Sequence, residues 1–311
     1  MSQTLISGRT KKRKSGSLNS RAAYYWYLIP GIVGFLAVVG YPLFTNVQTS
    51  FTKWNGYGPQ KYIGFENYIK LFHDTNFWTS FVHAAEFMVA MSIIPTILGL
   101  IFGALIFDFI SPYFGQGWTT FFRTSLFMPQ IIPITVISIL WSWLLSPNTG
   151  VFNTILKSVG IHNPPNWLGS DHWVIFAISI MLIWIQIGYT VTIFITGMGR
   201  IDPTLQEAAE LDGASWWQRF RAITITQLGP EISIVVLTTT VAAIKIFAPI
   251  QIMTSGGPGN ATFVPSFYSY FNFFTAQKVG YGAAISTVLM VILSIIAVLL
   301  FKYQNRRGVD L

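Results

Sequence analysis

The residues with the most chemical content lie in one polar stretch, 201–223, set between long apolar ones. Glu207, Glu210 and Asp212 surround the small pair Ala208 and Ala209. Carboxylates around a low-relief alanine surface suit docking, because another protein's backbone and side chains can approach closely. Local chemistry predicts how the stretch folds. Asp202 can cap a helix whose first position is Pro203, where a proline loses only a donor that would be unpaired anyway. Gly213 is a left-handed stop. Ser215 with Gln218 three residues later forms a capping-box pattern, so a second helix starts there. Trp216, Trp217 and Phe220 are read as wedging this loop against the chain's own apolar helices. The plainer reading of the same residues is a solvated amphipathic loop.

Chemistry of other kinds is missing. No Gly-x-x-x-x-Gly-Lys-Ser/Thr sequence occurs, nor any Gly-Lys pair, so ATP would have to be hydrolysed on another polypeptide. No Ser/His/Asp set or carboxylate pair marks an enzyme. Zero cysteines exclude disulfides and cysteine-based metal or redox sites. His73, His83, His162 and His172 lack metal-ligand spacing. The chain therefore reads as a conduit, with no catalytic residues, metal or cofactor of its own.

The elements that position the polar stretch are membrane spans. With 52% hydrophobic and 10% charged residues, the composition is not that of a soluble domain. A span needs about 20 mostly apolar residues. Six stretches qualify, at about Tyr24–Phe44, Phe81–Phe107, Phe121–Leu145, Trp173–Met198, Ile232–Met253 and Tyr281–Phe301. The first lacks a small-x-small cleavage site and reads as an uncleaved span. Pro95, Pro129, Pro133 and Pro249 lie in or near spans and are expected to interrupt their hydrogen bonding.

Charge orients the spans. If the amino terminus is cytoplasmic, thirteen of the nineteen Lys and Arg fall inside, including the cluster Lys11–Lys14. Lys53, Lys61, Lys70, Lys157 and Lys278 then fall outside, and Lys245 within a span. The positive-inside rule favours that arrangement, which makes both termini and the 201–223 stretch cytoplasmic. The net charge of +8 is thus a topology signal that touches anionic lipid, with no nucleic-acid partner implied. Residues 1–20 read as a disordered basic tail and 21–311 as one six-helix, all-α membrane domain with its polar loop at about 199–229.

Glu207, Ala208, Ala209, Gly213 and Ile223 match the pattern Glu-Ala-Ala, three residues, Gly, nine residues, Ile-x-Leu-Pro, with Ile225 and Thr226 in place of Leu-Pro. This stretch resembles the "EAA" loop of permease subunits in binding-protein-dependent ABC importers. Phe51-Thr52-Lys53-Trp54-Asn55, Phe65-Glu66-Asn67-Tyr68 and Asp74-x-x-Phe77-Trp78 look like the first external loop of the carbohydrate (MalF/UgpA) type. Pro129, Trp141, Trp143, Pro147, Gly150 and Asn153 fit that type's third span and following loop. Met253-Thr254-Ser255-Gly256-Gly257-Pro258 resembles its Thr-Gly-Gly-Gly-Pro turn, and Gly280-Tyr281-Gly282 opens the last span as in that type.

The resemblance implies a type I permease in a bacterial or archaeal cytoplasmic membrane, moving a sugar or oligosaccharide by alternating access. It implies a second homologous permease, two copies of an ATP-binding subunit and an extracytoplasmic solute-binding protein. Glu207, Ala208, Ala209, Asp212 and Gly213 would dock the ATPase. Neutral sugars are held by hydrogen bonds and aromatic faces, so Gln130, Trp141, Trp143, Trp184, Gln186, Tyr189, Lys245, Gln251 and Asn272 are substrate-pathway candidates, though each alone is more often a packing contact. An ammonium inside a span is expensive unless it faces water or a carboxylate. Ala248 stands where the family often has Asp, so Lys245 has no local acidic partner. A phosphorylated polyol such as glycerol-3-phosphate is the alternative cargo, with Lys245 as its basic residue. An ion-coupled secondary transporter is disfavoured by scarce buried acids, limited to Glu86, Asp108 and Glu231 near span ends.

Overall fold

The structure, a computed structural model, describes residues 18–305. The Lys11–Lys14 cluster and the predicted tail as far as residue 17 lie outside the described residues. The chain divides into two compact units, 1–48 and 49–311. In the first, helix α1 (Leu18–Phe35) passes through a π-turn at Leu36–Gly40 into α2 (Tyr41–Ser50), whose last residues enter the second unit. Trp26, Tyr27 and Val38 are all exposed, a surface that hydrocarbon accommodates and water does not.

The second unit opens with a two-stranded hairpin, β1 (Thr52–Lys53) and β2 (Lys61–Tyr62), then α3 (Glu66–Phe72). A long helix follows, α4 (Thr75–Phe114, 40 residues). After it come α5 (Gln116–Ile131), α6 (Ile134–Leu144), α7 (Val151–Ser158) and α8 (Asp171–Met198). The polar loop holds α9 (Pro203–Leu211) and α10 (Trp216–Gln227). The chain ends with α11 (Gly229–Ile244), α12 (Ala248–Met253), α13 (Pro265–Tyr270) and α14 (Val279–Asn305). Among the described residues four helices are long and apolar enough to cross a membrane, or six if each of two bent pairs counts as one span.

Two of the predicted spans are interrupted. The stretch Phe121–Leu145 is broken, with α5 and α6 meeting at 95°. The cause is Pro133: the residue before a proline is driven out of the helical region, and Ile132 and Pro133 are both extended, with ψ of 132° and 131°. The stretch Ile232–Met253 is likewise not one helix, since α11 ends at Ile244 and a new helix begins at Ala248-Pro249. Lys245 is therefore the exposed C-cap of α11, at the break between two helices and not in the middle of one. A cation there complements the negative end of the helix dipole.

At Pro95, by contrast, α4 carries on. A π-turn at Val89–Ile93 directs the Ile94 N–H back to Val89 O, just ahead of the proline. Thr190 Oγ1 on α8 donates to Pro95 O at 2.8 Å. Helix α8 is the centre of the unit: Val174, Ile178 and Met181 are buried in one cluster, Phe194 in a second and Val191 in a third. Its neighbours come close because glycine lets them. A Cβ on Gly188 would stand 1.9 Å from Leu126 O of α5, and one on Gly99 of α4 would stand 2.2 Å from Thr190 Oγ1. Small residues at such crossings let backbones touch, which matters where lipid supplies no hydrophobic drive between helices.

Gly188→Ala is expected to destabilise the α5–α8 contact by about 1–3 kcal/mol through overpacking. The check is the thermal midpoint of the detergent-solubilised protein; an unchanged midpoint would contradict this packing.

Candidate coupling interface

The polar loop folds as its caps predict. Asp202 Oδ1 accepts from Thr204 N at 3.0 Å, and that bond holds its carboxyl below the usual range. Helix α9 ends in a Schellman motif: Gly213 N donates to Glu210 O at 3.0 Å and Ala214 N to Ala209 O at 2.9 Å. Gly213 has φ +78°, a conformation that side chains disfavour, while the space around it is open. Ser215 and Gln218 form a reciprocal capping box at the start of α10. The helix runs through a π-turn at Phe220–Thr224 and on through Ile225-Thr226 to Gln227, then bends by 67° into α11. The missing Leu-Pro thus leaves α10 continuous, and the break comes at Leu228.

One hydrogen bond ties the loop to α4, and an ion pair ties the loop's two helices to each other. Trp216 Nε1 donates to Asp108 Oδ2 at 2.8 Å, and the Trp216 ring stacks on Phe220 at 5.2 Å, with Phe220 buried. Arg219 pairs with Glu210 at 2.8 Å, closing α10 onto α9. Asp108 is aimed at Trp216 from a second π-turn, Ile106–Ile110, within α4. Glu207 is exposed and borders, with Asp108, Glu210 and Arg219, a cavity of about 550 Å³. Trp216 and Phe220 wedge as predicted. Trp217 does not; it is 58% exposed.

An exposed apolar strip runs along α9 between its acidic residues. Leu205, Ala208 and Leu211 recur every three residues, and Leu211 is 90% exposed. Asp212 is exposed at its end, while Ala209 is only half-buried. Leu211 was missed by sequence reasoning, although its spacing from Ala208 was visible. In the sequence Asp108 is only an acid near a span end.

The nine pathway candidates do not form one site. Trp141 and Trp184 do meet, with centroids 5.8 Å apart, and Gln186 is buried further along α8. Gln251 lies on α12, which packs against α6; its Oε1 is buried without a hydrogen-bond partner among the described residues. Tyr189 Oη lies 3.3 Å from Thr238 Oγ1 on α11. The others diverge: Trp143 is 78% exposed, Gln130 is exposed at the α5–α6 break, and Lys245 borders an open groove with Ser266 and α14. Asn272 is buried and donates to Tyr268 O at 2.9 Å.

At the far end of α4, Asp74 ties three helices together. It accepts from Asn76 N at 3.0 Å and from the hydroxyls of Tyr268 and Tyr281 at 2.5 Å each. Burial alone would raise its pKa, but these hydrogen bonds outweigh it and hold the carboxyl below its ordinary value. Burial, reinforced by the Asp74 charge, pushes Tyr268 up to about 12. Stabilisation from Asp74 is therefore present above its unfolded pKa and lost as pH falls through the lowered folded one. That from Tyr268 is full below its unfolded value and lost as pH rises toward about 12.

Residues 96–309 match the family model for the binding-protein-dependent transport system inner membrane component. The chain is 34% identical over 281 residues to the probable ABC transporter permease protein YurN of Bacillus subtilis (strain 168), covering 90% of this chain and 94% of the relative. It is 28% identical over 284 residues to the trehalose/maltose transport system permease protein MalF of Thermococcus litoralis, covering 91% and 94%. A crystal structure of a bacterial alginate ABC transporter, in complex with an alginate pentasaccharide-bound periplasmic protein, contains a chain of the same fold. Its TM-score is 0.79 at 21% identity, covering 94% of this chain and 97% of that one.

Trp216→Phe keeps an aromatic ring but removes the bond to Asp108, at a cost of about 1–3 kcal/mol to the loop's anchorage. Hydrogen exchange should quicken across 203–227 and stay unchanged in the middle of α8. Asp74→Asn should lower the thermal midpoint at neutral pH and flatten its decline below about pH 4. A midpoint of equal acid sensitivity in both proteins would remove Asp74 from that role.

Proposed function

The chain belongs to the binding-protein-dependent transport system inner membrane component family, a family of transport permeases rather than enzymes, and on that premise we propose that it is a permease subunit of an ABC importer for a sugar or oligosaccharide. It would act in the cytoplasmic membrane with both termini inside. ATP would be hydrolysed on two nucleotide-binding subunits, a second homologous permease would complete the pathway, and a solute-binding protein would deliver cargo outside. The trehalose/maltose relative and the fold match to a transporter carrying a substrate-bound periplasmic protein support that assembly.

The observation that carries the reading is the exposed strip Leu205, Ala208 and Leu211 on a helix locked from behind by Trp216–Asp108 and Arg219–Glu210. Such a helix is open to a partner and linked to α4 through α10. A push on it is passed on through hydrogen-bonded and ion-paired contacts. Glu207, Ala208, Ala209, Asp212 and Gly213 form the proposed ATPase-docking set. On the cargo side, the Trp141–Trp184 pair and Gln251 are the pathway candidates the fold supports best, offering aromatic faces and a free amide oxygen. Lys245, on which a phosphorylated-polyol cargo depends, stands at a helix end. Asp108 and Glu231 are engaged with Trp216 and Arg200, which leaves little acid for ion coupling.

Reconstitution in liposomes with the partner subunits tests this. Glu207→Ala is expected to weaken ATPase-subunit association and to cut sugar-coupled ATP hydrolysis at least about tenfold. Gly213→Pro should abolish it, since proline cannot adopt φ +78°. Transport by the chain alone, without an ATPase, would sink the proposal.

A further inference from the structure

Where β1, β2, α3 and the start of α14 converge, at the opposite end of α4 from the coupling loop, there is a cavity of about 740 Å³. Lys53, Lys61, Lys70 and Lys278 line it with a single acid, Glu66, so four positive charges face one negative and the net is +3. The ion pairs among the described residues are Arg200–Glu231 and Arg219–Glu210, and none of these lysines takes part in one. The hairpin register sets Lys53 directly across from Lys61. Like charges opposite each other destabilise a strand pair, and a two-stranded ribbon has little stability to spare. An anion between them converts that repulsion into attraction.

The rest of the lining is preorganised. Asn67 donates to Ser50 O at 2.8 Å and to Thr52 O at 2.9 Å, fixing the hairpin to α3. Gly280 lets α14 pack on the same strand, since a Cβ there would stand 1.9 Å from Thr52 O. Tyr281 is held by Asp74, with Lys70 Nζ 4.8 Å from its ring centroid, and Trp54 is held through its Nε1 on Gly58 O at 3.1 Å. The volume falls in the range of small-molecule sites and exceeds what one carboxylate side chain would fill. The half-buried face of Trp54 suits the apolar side of a sugar ring, and ammonium groups suit an acidic substituent.

We infer that this cavity binds an acidic saccharide, a sugar carrying a carboxylate or phosphate, as a site separate from the proposed pathway through Trp141, Trp184 and Gln251. The inference rests on the sugar-importer reading and names a class of ligand for the outer end. Electrostatic attraction makes the binding salt-sensitive.

The experiment uses the full chain in phosphatidylcholine nanodiscs, titrated calorimetrically with digalacturonate, with the neutral disaccharide of the same linkage and with inorganic phosphate. Digalacturonate should bind at least about tenfold more tightly than the neutral sugar, and raised salt should erode that difference. The combination Lys53→Gln, Lys61→Gln and Lys278→Gln should abolish the preference. Because it also removes the Lys53–Lys61 repulsion, it should melt no lower than wild type, which separates lost binding from lost folding. Equal affinity for acidic and neutral sugars, or unchanged digalacturonate binding in the variant, would overturn the inference. So would displacement of digalacturonate by phosphatidylglycerol in the nanodisc, which would assign the site to a lipid headgroup. Weaker association of the solute-binding protein with unaltered digalacturonate affinity would assign the lysines to protein docking and overturn it equally. Import of a neutral oligosaccharide by the reconstituted complex is measured alongside: if that persists while acidic-sugar binding fails, only this inference falls.

Discussion

The close approach of α8 to α4 and α5 is the constraint on which the rest of the unit depends. Glycines at positions 188 and 99 bring backbone and side-chain atoms into contact, and Thr190 closes the gap with a hydrogen bond to Pro95 O. In lipid, helix association depends on such fit and on polar ties between helices. A further tie runs from α4 to α11, where Thr239 Oγ1 donates to Ser92 Oγ at 2.8 Å. These contacts make a stiff centre, and the coupling loop and the lysine-lined cavity are carried at its ends.

The coupling loop shows how local chemistry and long-range geometry divide the work. Caps at Asp202 and Ser215 and the left-handed Gly213 set the shape of α9 and α10 without help from elsewhere. What joins that shape to the membrane helices is a pair of π-turns, Ile106–Ile110 and Phe220–Thr224, which present Asp108 on one side and seat Phe220 on the other. A π-turn inserts a residue and rotates all that follows, so it re-aims a side chain without ending the helix.

Much of this was legible in the residues themselves. Apolar length marked the straight helices well, and capping chemistry predicted the coupling loop in detail, because both signals are local. The proline at 133 was visible as an interruption, but the 95° angle was not, since it depends on where α6 can pack after the break. The helix end at Lys245 is hidden for a related reason: hydropathy continues from α11 into α12, while the backbone turns at Lys245–Phe247. The pathway candidates rest on residue type alone. Type cannot tell Trp184, in contact with Trp141, from Trp143, which faces away. Asp74 stands in a recognisable motif, yet its partners come from α13 and α14, nearly two hundred residues on.

Helix α4 has one end fastened by Asp74 to α13 and α14, and the other fastened by Asp108 to the coupling loop. The stretch from Thr75 to Asp108 measures about 50 Å at about 1.5 Å per residue. Gripped between those ends by Thr190 at Pro95 and by Thr239 at Ser92, the helix has its fulcrum in the stiff centre, so any tilt about that grip would swing the Asp108 end and the Asp74 end in opposite senses.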